Sequence, residues 1–246
     1  MALQEELEQQ GNWLFKRRSE FPLVLVALML LELRLDPPPP IAGLAAGFWA
    51  VLCLGIAFAG ELIRAHTVGR VPGGTSARQT RAPGGGVLNT SGWYSVVRHP
   101  LYLGNYLIWA GLALWLRSWE FALIVSLVFW VYYERIMFAE EAYLRRTFGD
   151  AYAAWAAATP AFVPRLARWR PADLPFSWRV VVRREHSSCF AIVAIFAAEV
   201  YGRDLIGEGR LEWHPLVAIF FGAGLLLFLL AVILTRYTDL LEVEGR

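Results

Sequence analysis

The chain has 246 residues, of which 57% are hydrophobic and 14% aromatic, and its mean hydropathy is positive. That composition excludes an ordinary soluble domain of this length and makes an integral-membrane protein the expectation. The net charge of +2 is too small to point to a nucleic-acid partner, so the basic residues bear on membrane topology and anionic lipid headgroups.

The first stretch, MALQEELEQQGNW, is acidic and polar ahead of Lys16, Arg17 and Arg18, and does not read as a cleaved signal peptide. Apolar runs follow near 20–35, 41–63, 101–116, 119–138, 187–206 and 214–235. A hydrocarbon core of about 30 Å needs about 20 apolar residues per helix. The runs therefore predict an all-α fold, a polytopic membrane helix bundle of about six transmembrane helices. The first and third runs are short. The 101–138 pair, joined only by Arg117 and Ser118, reads as a tilted helical hairpin. If the N-terminus is cytosolic, 19 basic residues fall on the cytosolic side and 4 on the other, which predicts cytosolic termini and two cytosolic polar loops. A single lysine in an arginine- and alanine-rich chain suggests a GC-rich bacterial genome, and with it a bacterial inner membrane.

Between the runs the chain changes character. The run DPPPP at 36–40 cannot continue a helix and reads as a stiff connection between the first two spans. The 64–98 loop is rich in glycine, proline and small polar residues. Its triple glycine at 84–86 lacks the Gly-Lys-Ser/Thr of a phosphate loop and reads as linker. The 139–186 stretch begins as a helix leaving the membrane, with Phe148-Gly149 a plausible break. It then becomes rich in tryptophan and arginine, a composition suited to the headgroup layer. Four segments result: N-terminal helices 1–64, a loop 65–98, a core 99–165, and 166–246 with the interfacial stretch and two further helices. Cys53 and Cys189 have no second cysteine nearby and read as small apolar residues, with no disulfide or metal site expected.

Two constellations carry chemistry. In RHPLYLG, Pro100 suits the first position of a helix, so Arg98 and His99 stand beside its unpaired amides, an arrangement that attracts anions. Snorkelling of the two side chains to lipid phosphates explains the same residues equally well. Gly104, one turn in, sacrifices helix propensity and implies close approach by another helix or a ligand. In YYERIMFAEEAYLRRTFG, Glu134, Arg135, Glu140 and Glu141 are ionisable residues at the end of an apolar helix. Glu134, Phe138 and Glu141 share a face there, while Glu140 points about 100° away from Glu141. One glutamate then faces a pocket and the other solvent; an exposed Glu141–Arg145 pair is the plainer alternative.

Taken together, Gly92 to Gly104 (G-x-Y-x-x-V-R-H-P-x-Y-x-G), Glu140 to Tyr152 (E-E-x-x-L-x-x-x-F-G-x-x-Y) and the closing Pro160 to Pro164 resemble the isoprenylcysteine carboxyl methyltransferase family. Its wider relatives include phospholipid methyltransferases and enzymes methylating small thiols. The resemblance covers about residues 41–165. It implies an integral-membrane enzyme that binds S-adenosylmethionine in a cytosol-facing pocket between the two motifs. The cofactor-binding candidates are His99, Pro100, Tyr102, Gly104, Tyr106, Glu140, Glu141 and Tyr152, with Trp155 a further aromatic candidate. Arg98 or Arg135, with Glu134 beside them, would hold an anionic acceptor in line.

Methyl transfer from a sulfonium is an in-line displacement that destroys charge, so alignment and exclusion of water matter more than acid–base groups. The expected acceptor is hydrophobic and membrane-resident, a lipid or isoprenoid-like carboxylate, thiol, phosphate or amine. Membrane lipids are the expected surroundings. The two helices after residue 165 lie beyond the resemblance; walling off a substrate chamber, forming a homodimer interface and stabilising the bundle are all open for them. Arg183, Arg184, Glu185 and His186 read as an interfacial stop before the fifth helix, the alternative being that they add to the active site from above. Other readings are a small-thiol methyltransferase, an NADPH-dependent carbon–carbon double-bond reductase, which the Glu-Glu motif and the leucine at 101 disfavour, and a non-enzymatic scaffold.

Overall fold

The computed structural model describes residues 2–36, 43–73 and 87–246. The proline connector at 37–40 and the triple glycine at 84–86 lie outside them. Within the described residues the fold is all-α, with each of the six apolar runs forming a helix: α2 Phe21–Leu35, α3 Gly43–Val68, α4 Pro100–Trp115, α5 Trp119–Ala158, α6 Trp178–Arg203 and α7 Pro215–Tyr237. Three of these, α3, α5 and α7, are long and apolar enough to cross a membrane. The 15-residue α2 and 16-residue α4 reach only about 23 Å, short of the hydrocarbon thickness. The sequence reading had no helix at the polar N-terminus; the structure forms α1, Leu3–Lys16, there. Its stability comes from docking on α5, where Glu8 meets Arg146 at 2.7 Å, Gln10 accepts from Arg135 at 2.9 Å and the Leu14 carbonyl accepts from Tyr132 at 3.1 Å.

Local chemistry sets the boundaries. Proline opens α4 and α7 at the first helical positions, where its missing amide hydrogen is not needed. The hairpin expected around 117–118 is present: α4 stops as Arg117 enters the left-handed region (φ 57°), and Ser118 caps α5 by accepting from the Phe121 amide at 3.1 Å. The break expected at Phe148-Gly149 is a kink within α5, with Gly149 at φ 53°.

Core packing follows four-residue spacing. Leu25, Met29 and Leu33 of α2, Phe121, Val125, Phe129 and Tyr133 of α5, Leu112 of α4 and Ile192 and Phe196 of α6 belong to one buried cluster, in which Phe21 of α2 packs on Phe129, Tyr132 and Tyr133. The opposite face of α5, with Leu123, Ile124, Leu127 and Val131, is exposed, as is much of α7, with Leu216, Ile219, Leu226, Leu227 and Ile233, where only Ala231 is buried. Apolar side chains so displayed suit hydrocarbon.

Small residues let α3 and α4 approach closely, since lipid tails give apolar side chains no reason to leave them and close packing must hold the pair. A methyl added to Gly104 would strike the Gly60 carbonyl and the Arg64 stem, and one on Gly111 would strike the Cys53 carbonyl and Ala57. Gly104 thus serves a helix contact. Gly104→Leu is expected to lower stability by about 3 kcal/mol, the upper range for overpacking, measured by thermal unfolding in detergent; an unchanged midpoint would refute the contact.

Candidate functional site

The two polar stretches flanking the helices form one layer. The backbone of 160–165 runs along 96–99: the Arg98 amide donates to the Pro160 carbonyl at 2.8 Å, His99 to Ala161 at 3.2 Å and Arg165 to Val96 at 2.9 Å. The Trp155 indole donates to the Tyr94 carbonyl at 3.0 Å, and Gly92 pairs with Arg170 in an isolated antiparallel bridge. The closing Pro160–Pro164 segment therefore acts as a strap that holds the Arg-His-Pro segment in place. The tryptophan- and arginine-rich stretch packs on this loop through Ser95, whose hydroxyl accepts from the Arg170 amide at 2.9 Å.

The strap and α4 bring the two motifs together. Arg98 Nη1 donates to Glu141 Oε2 at 2.8 Å, His99 Nε2 lies 2.9 Å from Glu141 Oε1, and His99 Nδ1 lies 3.5 Å from Glu140 Oε2. The spacing argument put one glutamate toward a pocket and the other toward solvent; instead both reach His99 and both are partly buried. Their long side chains converge across the 100° between their stems. The imidazole is buried and stacks on Tyr102, with centroids 5.5 Å apart, and Tyr102 leans on Tyr133 at 4.9 Å. Tyr152 is fully buried within electrostatic reach of Glu141 and Arg98, and touches Trp155 edge-on at 5.8 Å. Trp155 lines a cavity of ≈ 560 Å³ with Ser95, Arg168 and Arg170.

The remaining candidates lie elsewhere. The α4 terminus offers fewer free amides than expected, because Pro100 has none and the Tyr102 and Leu103 amides bond back to the His99 carbonyl at 3.1 and 3.0 Å. Arg135 is pinned to α1 and to the Val131 carbonyl, while Glu134 is exposed 3.8 Å from it. The helical turn that carries them faces α1, so they do not join the His99 cluster. Tyr106 lies deeper and hydrogen-bonds Ser126 at 3.2 Å.

Burial would lower the His99 pKa, but hydrogen bonds and charge from Glu140 and Glu141 outweigh it and hold the imidazole above its ordinary 6.5. Because the folded value is the higher one, the stabilisation is complete below 6.5 and is lost as pH rises through the elevated folded value. Thermal midpoints measured across pH 6 to 9 are therefore expected to fall for the wild type and to flatten in His99→Gln; parallel curves would show that the histidine is not charged in the fold.

A second polar group, not found by the sequence reading, sits one turn deeper. Arg64 of α3 donates to Glu185 at 2.6 Å and to Asn105 at 2.5 Å, and lies 3.7 Å from Glu61. Ser188 donates to Glu61 at 2.8 Å, and Asn105 donates to the Tyr133 hydroxyl at 3.0 Å. Glu185 was expected at an interfacial stop; it is 4% exposed and ties α6 to α3. Tyr133 and Tyr102 connect this group to His99. Glu61 and Arg64, three residues apart at the end of an apolar run, are the signal that identifies it.

The fold and its exposed apolar faces thus define an integral-membrane helical bundle with a charged cluster where its two motifs meet. Residues 73–151 match the family described as phospholipid methyltransferase. Among curated proteins, the chain is 39% identical over 79 residues to protein-S-isoprenylcysteine O-methyltransferase of Schizosaccharomyces pombe, which covers 32% of this chain and 33% of that protein. It is also 39% identical over 83 residues to the cobalt-zinc-cadmium resistance protein CzcN of Cupriavidus metallidurans, covering 34% of this chain and 38% of that one. The chain spans about a third of the length of the curated relatives it matches. No solved structure matches. The matched region is the one bearing the two motifs, so the resemblance to membrane methyltransferases read from the motifs is found again in these comparisons.

Proposed function

We propose that the chain is an integral-membrane, S-adenosylmethionine-dependent methyltransferase acting on a hydrophobic, membrane-resident acceptor. The observation that carries the reading is the closure of the two motifs onto one another, with Arg98, His99, Glu140 and Glu141 in a single cluster. The family match over residues 73–151 and the partial identity to a methyltransferase support it.

The residues present fit the cofactor. Within the cluster, Arg98 Nε is buried with no hydrogen-bond partner among the described residues, and the Tyr102 and Tyr152 hydroxyls lie buried beside Glu140 and Glu141 without a well-formed hydrogen bond, a set of polar atoms that a polar ligand would satisfy. Glu140 and Glu141 are suited to an ammonium or ribose hydroxyls, and Arg98 and His99 to a carboxylate. The bound cofactor supplies an electrophilic methyl group on a sulfonium. The chain's own task is alignment: His99, held between two carboxylates and the Tyr102 ring, has one orientation, and the strap fixes Arg98 beside it. The apolar surfaces of α5 and α7 keep the site within reach of lipid-dissolved acceptors.

The test is calorimetric titration of the detergent-purified protein with S-adenosylhomocysteine and, separately, NADPH. Saturable binding of the first alone supports the reading. Binding of NADPH alone would move the protein to the reductases, and binding of neither by a folded sample would favour a scaffold.

A further inference from the structure

At the far end of α4 from His99, a cavity of ≈ 430 Å³ opens between α3, the α4–α5 turn, α6 and the start of α7. Three of the side chains that line it are left unsatisfied. Glu199 is 3% exposed with both carboxylate oxygens buried and without a hydrogen-bond partner among the described residues. The Trp49 indole nitrogen and Arg117 Nη1 are likewise buried and unpartnered. Arg203 also lines the cavity, close enough that burial together with its charge pushes the Arg117 guanidinium below its usual value. Arg117 and Arg203 thus lie near one another, and among the described residues neither pairs with Glu199. The other acidic groups nearby are occupied: Asp204 accepts from His214 at 2.8 Å and from the Glu212 amide at 3.2 Å, and Glu212 pairs with Arg210.

A buried carboxyl and a buried guanidinium nitrogen that share a cavity without closing on each other each leave a desolvation cost unmet, the carboxyl keeping its proton until a cation meets it. A ligand with both charges relieves both. We propose that this cavity is a second binding site, for a zwitterion bearing a phosphate and a protonated amine: the phosphate between Arg117 and Arg203, the amine on Glu199 and the Trp49 ring face. Guanidinium pairs match phosphate geometry, and a carboxylate beside an indole suits an ammonium. Apolar Leu33, Leu116 and Val217 on the cavity wall accommodate the start of an acyl chain. The site is independent of the methyltransferase reading.

The test is native mass spectrometry of the purified full chain with dihexanoyl phosphatidylethanolamine, dihexanoyl phosphatidylglycerol and soluble phosphoethanolamine. The aminophospholipid is expected to be retained about tenfold more than the phosphatidylglycerol. Glu199→Gln should erase that preference and Arg203→Gln should weaken both lipids. Competition by soluble phosphoethanolamine would identify a free zwitterion as sufficient, whereas retention of the lipid alone would identify a headgroup site; either supports the shared chemistry. Equal retention of the two lipids by the wild type overturns the proposal, as does unchanged binding in both variants when their melting curves match the wild type.

Discussion

Glu185→Gln is expected to destabilise the protein by about 3 kcal/mol, because it leaves the Arg64 guanidinium partly buried without its main counter-charge. The pair joins α3 to α6 at 2.6 Å, and Arg64 also accounts for the orientation of Asn105 and, through it, of the Tyr133 hydroxyl. Arg64→Met is expected to be comparably damaging, since Glu185 would then share the site with Glu61 alone. The double variant Arg64→Met/Glu185→Leu should recover most of the loss, because two apolar residues leave no charge behind. Thermal or denaturant unfolding in detergent measures all three. If the double variant is as unstable as the sum of the singles, the pair is not the source of the effect.

Charge-neutral substitution of the motif glutamates has the other large expected effect. Each charge-assisted hydrogen bond is worth roughly 1.5–3 kcal/mol, so Glu140→Gln/Glu141→Gln should weaken S-adenosylhomocysteine binding about 100-fold or more. His99→Ala should do the same, because the imidazole reaches both carboxylates. Calorimetric titration gives the affinities, and circular dichroism shows whether the helices persist. Wild-type affinity in both variants would remove the cluster from the site.

The helices were legible in the sequence because apolar runs of near-membrane length leave the chain few other ways to satisfy its backbone. Every one of the six is helical. The hairpin turn at Arg117 and Ser118 and the kink at Gly149 were also legible, each being set by a short-range signal. Helix α1 was not: its residues are polar, and what orders them is α5, more than a hundred residues away. The site shows the same division. Residues of the two motifs could be named from their order, but periodicity could not show that Glu140 and Glu141 reach one imidazole, since side-chain length bridges what the helical wheel separates. Arg135 looked like an acceptor clamp for want of any sign that α1 would claim it. Glu185 looked interfacial because it follows Arg183 and Arg184 in the chain, and only its partner Arg64 on α3 reveals its inward direction.

Helix α5 has one more consequence. It runs without interruption from the hairpin turn to Glu141, a distance of about 33 Å, close to one hydrocarbon thickness. The helix is a ruler, its zero at the turn and its mark at the carboxylates. In a thin bilayer the mark rises into water, and in a thick one it is drawn toward oil, where ionised glutamates are costly. The depth of the charged cluster in a bilayer is therefore set jointly by the number of residues in α5 ahead of Glu141 and by the acyl-chain length of the surrounding lipids.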